Sequence, residues 1–566
     1  MERTMTSWDG VRLFYRAWIP KRPTERALLL LHRGHEHSAR WDEVVRTLRL
    51  DDVAVFAWDM RGHGRSDGPR GGAPDIPSIV KDLEWFTGHL GSDHGVRRED
   101  MVVMGHSVAA VVLAAWVHDY APPIRGMILA TPAFRVRLYV PAALPLLRLR
   151  QRALGPGVVH SYVKPRLLTH DRDEARRYEQ DPLIFRQISV NVLIDLHDVS
   201  ARVVADAAAI RTPALILTAK NDWVVDNAAT ARFADRLSSP IKTVRSYAGF
   251  RHAIFHERDR LQPIGDVRRF VKACFSDRAC PALDTDPRAC TLAEHDRLRH
   301  AGGWQYLPMR WALRSVGLLS EGIRLGWQTG FDSGTTLDYV YQNRPGGLTA
   351  LGRLIDRAYL NSVGWRGIRQ RRVHLEALLH EAILRLHADG RRVHAVDIAS
   401  GPGRYVLEVL RSGPCTMSAL LRDTRPQHIE AGRRLAAALG VRSVTYETGD
   451  AFDRQSLAAI RPRPTIAVAS GLYELFPEND RVLKSLRGLA DALEPDGYLV
   501  YTNQPWHPQI EFIARVLQNS NGERWVMRRR TQEEMDALVR SAGFEKLQME
   551  IDPWGIFTVS LARRAA

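Results

Sequence analysis

Three side chains far apart in the chain, Ser107, Asp222 and His252, are of the types that together turn a hydroxyl into a nucleophile. Ser107 lies in VVMGHSVAA, where an apolar run enters Gly105-His106-Ser107-Val108-Ala109 and the small-residue stretch AAVVLAAWV follows. The pattern predicts a strand turning sharply into a helix with the serine at the apex. Such a turn admits only small residues two positions before and two after it, and Gly105 and Ala109 meet that requirement. A five-residue match arises by chance, so a base and an acid must carry the assignment. Asp222 follows the apolar run Pro213–Thr218, in AKNDWVVD, and His252 follows Thr243–Tyr247, in AGFRH. Both lie just past the ends of predicted strands, and parallel strands collect those ends along one edge of a sheet. So placed, His252 takes the proton from Ser107 as it attacks an acyl carbonyl, and Asp222 holds the imidazole tautomer. Two backbone N–H groups must face the developing oxyanion. Val108, directly after the serine, and Gly34, in the loop after Leu31, are the candidates. Two neighbours compete: Asp226 opens DNAATARFADRL and reads better as a helix N-cap, and His256 falls in the next helical stretch.

A second chemical centre lies near residue 400. The predicted strand Val393–Ile398 runs into Ala399-Ser400-Gly401-Pro402-Gly403-Arg404-Tyr405 and then a helix. A glycine-rich turn between strand and helix lets a ligand approach the backbone closely. Its spacing is neither the dinucleotide GxGxxG nor a phosphate loop ending in Gly-Lys-Ser/Thr.

The elements that must position these residues are legible. Continuous apolar runs at Ala27–Leu31 and Val53–Trp58 read as buried parallel strands, and Ile124–Ala130 as another strand. Alternating with helices, they argue for a doubly wound sheet. Residues 134–200 interrupt it as an insertion, the usual place for a lid. The insertion's first part, FRVRLYVPAALPLLRLRQRALGPGVVHSYVKPRL, has seven basic residues and no acidic one. Its mixed basic and apolar character suits an anionic membrane surface, or a lid whose apolar side covers an acyl pocket while its arginines stay solvated. SDRACPALDTDPRACT marks a domain boundary. The expected organisation is a first domain at 1–277, a linker at 278–330, a helical lead-in at 331–390 and a second core at 391–566.

At 566 residues the chain exceeds one hydrophobic core. Its four cysteines show no metal-type spacing, so no metal site is expected, and their scarcity fits a reducing cytoplasm. The N-terminal residues lack the apolar region of a signal peptide, and no run approaches the ~18 apolar residues a spanning helix needs. Net charge is +16, and 8 of the 80 basic residues are lysine. Arginine-favouring codons account for that as well as attraction to anionic lipid or nucleic acid does. Arg353–Arg372 holds six arginines against one aspartate, but no nucleic-acid module is visible and no nucleic-acid partner is expected.

LLHRGHEHSARW, AWDMRGHGRSDGPRG, GHSVA, KNDWVVD and GFRH resemble the monoacylglycerol lipase and lysophospholipase group of α/β-hydrolases. The resemblance implies hydrolysis of single-chain acyl-lipid esters. That group usually has glycine where this chain has Arg33 and His35. Arg33 is open to two readings, pairing with an anionic headgroup or pointing into solvent. The turn after Val393–Ile398 resembles the first motif of class I SAM-dependent methyltransferases, with Asp397 starting it and Ala399 in place of the first glycine. S-adenosyl-L-methionine is then the implied cofactor, held by Asp397, Ala399, Gly401 and Gly403, by Asp423 on the ribose hydroxyls, and by Asp450 and Ala451 at the adenine. Tyr473, Glu474 and the Thr502–His507 loop are placed to line the acceptor pocket. His507 is either a base or a structural histidine, and no Asn/Asp-Pro-Pro-Tyr follows the fourth strand. With GFDSGTTLDYVY and RAYLNSVGWRGIRQRRVHLEALL, nearly the whole chain resembles bacterial fusions of these two enzymes. The expected fold is therefore two doubly wound α/β domains, an α/β-hydrolase with a lid insertion followed by a Rossmann-like class I methyltransferase. The expected function is hydrolysis of an acyl-ester lipid plus methyl transfer to a related molecule in the cytoplasm, with peripheral membrane contact. The alternatives are a peripheral membrane protein with one binding domain, and a nucleic-acid methyltransferase.

Overall fold

The computed structural model describes residues 1–140, 142–276, 288–300, 302–413 and 417–565. The chain divides into two compact units, Met1–Asp286 and Pro287–Ala566. The boundary expected at 278 lies outside the described residues, as do Cys280 and Cys415. Among the described residues no helix is long and apolar enough to cross a membrane.

The first unit is built on an eight-stranded sheet. Its strands are β1 (Glu2–Thr6), β2 (Arg12–Trp18), β3 (Ala27–Leu31), β4 (Ala54–Trp58), β5 (Met101–His106), β6 (Gly126–Ala130), β9 (Ala214–Ala219) and β10 (Lys242–Tyr247), while β7 (Val158–His160) and β8 (Gln187–Ser189) pair separately within the insertion. The order is β1-β2-β4-β3-β5-β6-β9-β10. β1, β2 and β4 pair antiparallel, and every later pairing is parallel. The apolar runs form the centre: β3, β4, β5, β6 and β9 are buried at every position. Helices cover both faces, which is why these strands carry no alternation. Helices Asp42–Leu48 and Leu261–Phe275 join the strands in one core cluster, while Val108–Tyr120 packs against Ile76–His94 and Val190–Ala205.

The turn after β5 depends on close approach. A Cβ at Gly105 would stand 2.5 Å from the Ala109 carbonyl oxygen and 2.8 Å from Ala110 Cα, so only glycine lets the helix begin against the strand. Ser107 at the apex takes φ 59° and ψ −115°, a conformation costly for a residue with a Cβ. Its N–H donates to Ala130 (2.9 Å), and its carbonyl accepts from Ala110 and Ala133 (3.1 Å each).

The second unit holds a seven-stranded sheet of β11 (Val393–Asp397), β12 (Met417–Asp423), β13 (Val444–Thr448), β14 (Ile466–Ala469), β15 (Tyr498–Asn503), β16 (Phe544–Ile551) and β17 (Thr558–Arg564), in the order β13-β12-β11-β14-β15-β17-β16. β17 runs antiparallel to both β15 and β16, closing the sheet as a hairpin with β16. The strand order reverses between β11 and β14, and ligands of open α/β sheets bind in the crevice at such a switch point.

The stretch expected as a linker is corrected from residue 289 onward. Helices Ala289–Arg299, Leu307–Arg314 and Glu321–Thr329 occupy it and pack into the second unit. Thr291 donates to Glu534 (3.2 Å), and Leu298 packs with Ile510 and Ala514. Helices of 8–11 residues broken by Gly302-Gly303 and Gly317 show too few turns for their periodicity to stand out. Helices Gly334–Gln342, Ala350–Leu360 and the 26-residue Val363–Ala388 follow.

Gly105→Ala is expected to destabilise the first unit by about 1–3 kcal/mol, the usual cost of overpacking. Chemical denaturation would show it, and an unchanged midpoint would refute the steric reading.

Candidate active sites

Ser107, Asp222 and His252 come together past the ends of β5, β9 and β10. His252 Nε2 is 2.8 Å from Ser107 Oγ, and His252 Nδ1 is 2.8 Å from Asp222 Oδ2. The other carboxylate oxygen of Asp222 accepts the N–H groups of Val224 (2.8 Å) and Val225 (3.0 Å). Burial pushes the Asp222 carboxyl upward, but His252 and the two N–H donors outweigh it and hold it below the usual range. An ionised Asp222 fixes a proton on Nδ1 and leaves Nε2 free to accept from the serine. The His252 carbonyl is held by Thr131 Oγ1 (3.1 Å) and stands 3.2 Å from His106 Nε2. Asp226 instead caps helix Asn227–Arg236, accepting from the Ala228 N–H (3.0 Å). His256 is buried, with Nε2 3.2 Å from the Arg40 carbonyl.

The loop after β3 is set by residues the sequence reading gave no role. His32 Nδ1 donates to the Arg33 carbonyl (2.8 Å), while Nε2 accepts the Met60 N–H (2.9 Å). Asp59 accepts the N–H groups of Ser38 (2.6 Å) and Arg65 (2.8 Å), joining this loop to the one after β4. Gly34 and Val108 both line the cavity at Ser107, and a Cβ on Gly34 would lie 3.5 Å from the Val108 side chain. His35 takes the left-handed φ of 70° where the resembling group has glycine. The solvent-facing reading of Arg33 is corrected, and the side chain lies on the wall of that cavity. It is buried, 2.8 Å from Glu36 Oε1, with its guanidinium 5.1 Å from the Tyr178 ring centroid. Its charge is therefore met inside the protein.

The cavity above Ser107 has a volume of about 480 Å³. The insertion supplies much of its wall, including Leu146, Leu147 and Arg150 from helix Ala143–Leu154 and Leu193 and Leu196 from Val190–Ala205. No carboxylate lines it among the described residues.

In the second unit a cavity of about 370 Å³ opens over the turn after β11. Ala399, Gly401, Gly403, Asp423, Ala451 and Phe452 line it. Gly401 (φ 54°) and Gly403 (φ 77°) are left-handed, and a Cβ on Gly403 would run into Leu421. Asp423 at the end of β12 accepts the N–H groups of Gly401 (3.0 Å) and Arg425 (2.9 Å), with His428 Nδ1 at 3.1 Å. Burial raises the Asp423 carboxyl, and His428 with these donors brings it below the usual range.

Three expected residues are placed differently. Asp397 lies beneath the turn rather than in the cavity wall, taking the Ala399 N–H (3.1 Å) and the Tyr405 hydroxyl. Its complete burial outweighs both donors and pushes its carboxyl up to about 7. Asp450 accepts the Phe452 N–H (2.9 Å), and it is Ala451 and Phe452 that form the wall. Tyr473 points into the core, its hydroxyl 3.1 Å from Ser485 Oγ. Glu474 and His507 do line a further cavity, together with Gln504. Burial lowers His507 to about 4. Its Nδ1 accepts the Gln509 N–H (3.0 Å), so the ring proton sits on Nε2 and the ring is a donor rather than a base.

These two folds and centres define a serine hydrolase of the α/β-hydrolase fold fused to a methyltransferase unit. Residues 267–564, more than half of the chain, match a family described as "Putative methyltransferase", and the chain belongs to that family. Residues 22–259 match the family described as "Serine aminopeptidase, S33". The chain is 47% identical over 575 residues to "Uncharacterized protein YnbC" of Escherichia coli, covering 100% of this chain and 98% of that one. It is 25% identical to the monoacylglycerol lipase of Mycolicibacterium smegmatis over 48% of this chain and 96% of the relative. The solved monoacylglycerol lipase of Paleococcus ferrophilus covers 46% of this chain and 99% of its own, at 22% identity and a TM-score of 0.43.

The raised Asp397 carboxyl fixes the sign of a pH effect. Between the unfolded value near 3.8 and the folded value near 7 the unfolded chain is ionised and the folded one is not. Rising pH therefore removes stability there by about 1.4 kcal/mol per unit. Asp397→Asn is expected to raise the second unit's melting temperature at pH 8 relative to wild type, with little effect at pH 4. An equal difference at both pH values would exclude this.

Proposed function

We propose that the first unit hydrolyses esters of single-chain acyl lipids of the monoacylglycerol or lysophospholipid type. The observation that carries this is the hydrogen-bonded chain Ser107–His252–Asp222 opening into an apolar cavity that, among the described residues, has no carboxylate on its wall. An aminopeptidase must meet a protonated amine, and the charged side chains on this cavity wall are Arg33 and Arg150. His252 takes the Ser107 proton, Oγ attacks the acyl carbonyl, and the Val108 and Gly34 N–H groups receive the oxyanion. His252 then returns the proton to the departing alcohol, and water repeats the sequence on the acyl-enzyme. Apolar residues exposed on the insertion, Tyr139, Val140, Leu146, Leu149 and Leu154, are interleaved with Arg148 and Arg152. That composition supports contact with an anionic membrane during substrate uptake by an otherwise cytoplasmic enzyme.

For the second unit the reading is methyl transfer from S-adenosylmethionine. The residues fit such a donor: a left-handed glycine cradle too tight for a Cβ, a carboxylate at the end of β12, and the apolar pair Ala451 and Phe452. Gly401 and Gly403 would let the donor approach the backbone, Asp423 would take its ribose hydroxyls, and Phe452 would pack on its base. When bound, S-adenosylmethionine supplies a methyl group activated on a sulfonium.

A fluorophosphonate probe is expected to label the wild type and not Ser107→Ala, and Asp222→Asn is expected to lower kcat on a monoacylglycerol by about 10⁴-fold. Labelling that persists in Ser107→Ala would overturn the hydrolase assignment. Asp423→Ala is expected to weaken S-adenosylmethionine binding at least tenfold by calorimetry, and unchanged affinity would remove the ribose role.

A further inference from the structure

Beside the glycine turn the second unit encloses a larger cavity of about 630 Å³. That volume is well within the range of roughly 300–1,000 Å³ typical of small-ligand sites. Its walls come from segments far apart in the chain: Ile323 from helix Glu321–Thr329, Ile355 and Ile368 from the lead-in helices, and Ile513, Leu517 and Trp525 from the stretch after β15. Asp332, Leu337, Arg371, Gly471 and Leu475 line both this cavity and the one over the turn. The two spaces therefore meet at the end of β14.

Of the polar side chains on its wall, Asp332 and Arg371 stand at that meeting point, and Asp332 Oδ1 is buried without a hydrogen-bond partner. Glu474 and Gln504 are 7% and 2% exposed, yet Glu474 Oε2 and Gln504 Nε2 have no hydrogen-bond partner. Glu474 Oε1 is only weakly met, by Arg371 at 3.4 Å. An unpaired buried carboxylate oxygen is costly, and a ligand donor would relieve it. Most of the remaining wall is apolar, although the Tyr359 hydroxyl and Trp525 Nε1 on it are also buried without a hydrogen-bond partner. The helices carrying Met309 and Ile355 into the wall also expose Leu307, Trp311, Leu351 and Leu354 on their outer sides, so an apolar ligand meets apolar surface before it enters.

We propose that this cavity binds the methyl acceptor, a single-chain amphiphile whose tail fills the apolar space and whose hydroxyl or amine head donates a hydrogen bond to Glu474. The identity as acceptor rests on the methyl-transfer reading above; the binding site itself does not. On methylation the head's lone pair forms the new bond to carbon. The donor's carbon–sulfur bond breaks with its electron pair staying on sulfur, and the head's proton passes to Glu474 Oε2.

The test uses the full chain and n-alkylamines from butylamine to tetradecylamine, with a diazirine-tagged dodecylamine to locate the site by mass spectrometry. Crosslinks are expected in 350–368 and 510–527, and displacement by the untagged amines should tighten about fourfold per added methylene until the cavity is full. Ile368→Trp and Ala358→Phe, which fill the space, should each reduce crosslinking at least tenfold while S-adenosylmethionine affinity stays unchanged. Glu474→Gln should weaken amine binding at least tenfold with the chain-length dependence preserved. Crosslinks confined to 134–200, insensitivity to both filling variants, or displacement independent of chain length would overturn the proposal. Donor binding is measured separately by calorimetry, so loss of the methyl-transfer reading and loss of the amphiphile site register in different experiments.

Discussion

A parallel strand buried on both faces offers the solvent only its ends, and both units of this chain are built on that constraint. Residues that need water, substrate or a reacting partner must sit where the strands stop. Ser107 follows β5, Asp222 follows β9 and His252 follows β10. In the second unit the glycine turn follows β11, Asp423 ends β12 and Gly471 follows β14. The sheet fixes the spacing of these residues, because each lies at most about five residues from the end of a hydrogen-bonded strand.

That constraint also explains what was legible in the sequence. The Ser107 turn is local: an apolar strand, a glycine where a Cβ would strike the next helix, and small residues after it. Asp222 could be placed because it follows an apolar run, and His252 because it follows a predicted strand, although that strand, β10, is mostly exposed. The Asp397–Tyr405 turn was readable for the same reason. What was not legible depends on contacts across long sequence distances. Nothing near Arg33 announces Tyr178. Tyr473 and Glu474 are adjacent, yet one enters the core and the other a cavity, because a short 3₁₀ turn sends them apart. The larger cavity of the second unit is assembled from stretches between residues 309 and 557, and no single stretch carries its signature.

The charge balance gains a different meaning once the interior is known. A net +16 suggests a basic surface, but Arg33, Arg61, Arg371, Arg422, Arg528 and Arg530 are almost wholly buried. Arg528 donates to the Pro477 carbonyl and to Asn479 (2.7 Å each) and pairs with Glu534. Arg530 donates to the carbonyls of Tyr473 (2.6 Å) and Phe476 (2.8 Å). Burial first, then repulsion from Arg528, lowers Arg530 to about 10. These guanidinium groups tie down the loop that carries Glu474, a task suited to a planar fork of five donors. These six arginines thus serve as internal scaffolding.

The partition shared by the two cavities of the second unit gives them a thermodynamic bond. Arg371 and Leu475 face both spaces, so an occupant of one that shifts either side chain alters the affinity of the other. Linkage makes the effect reciprocal: whatever factor the first ligand imposes on the second, the second imposes on the first. Order of addition, product retention and inhibition by a spent donor then become properties of one wall rather than of two separate sites.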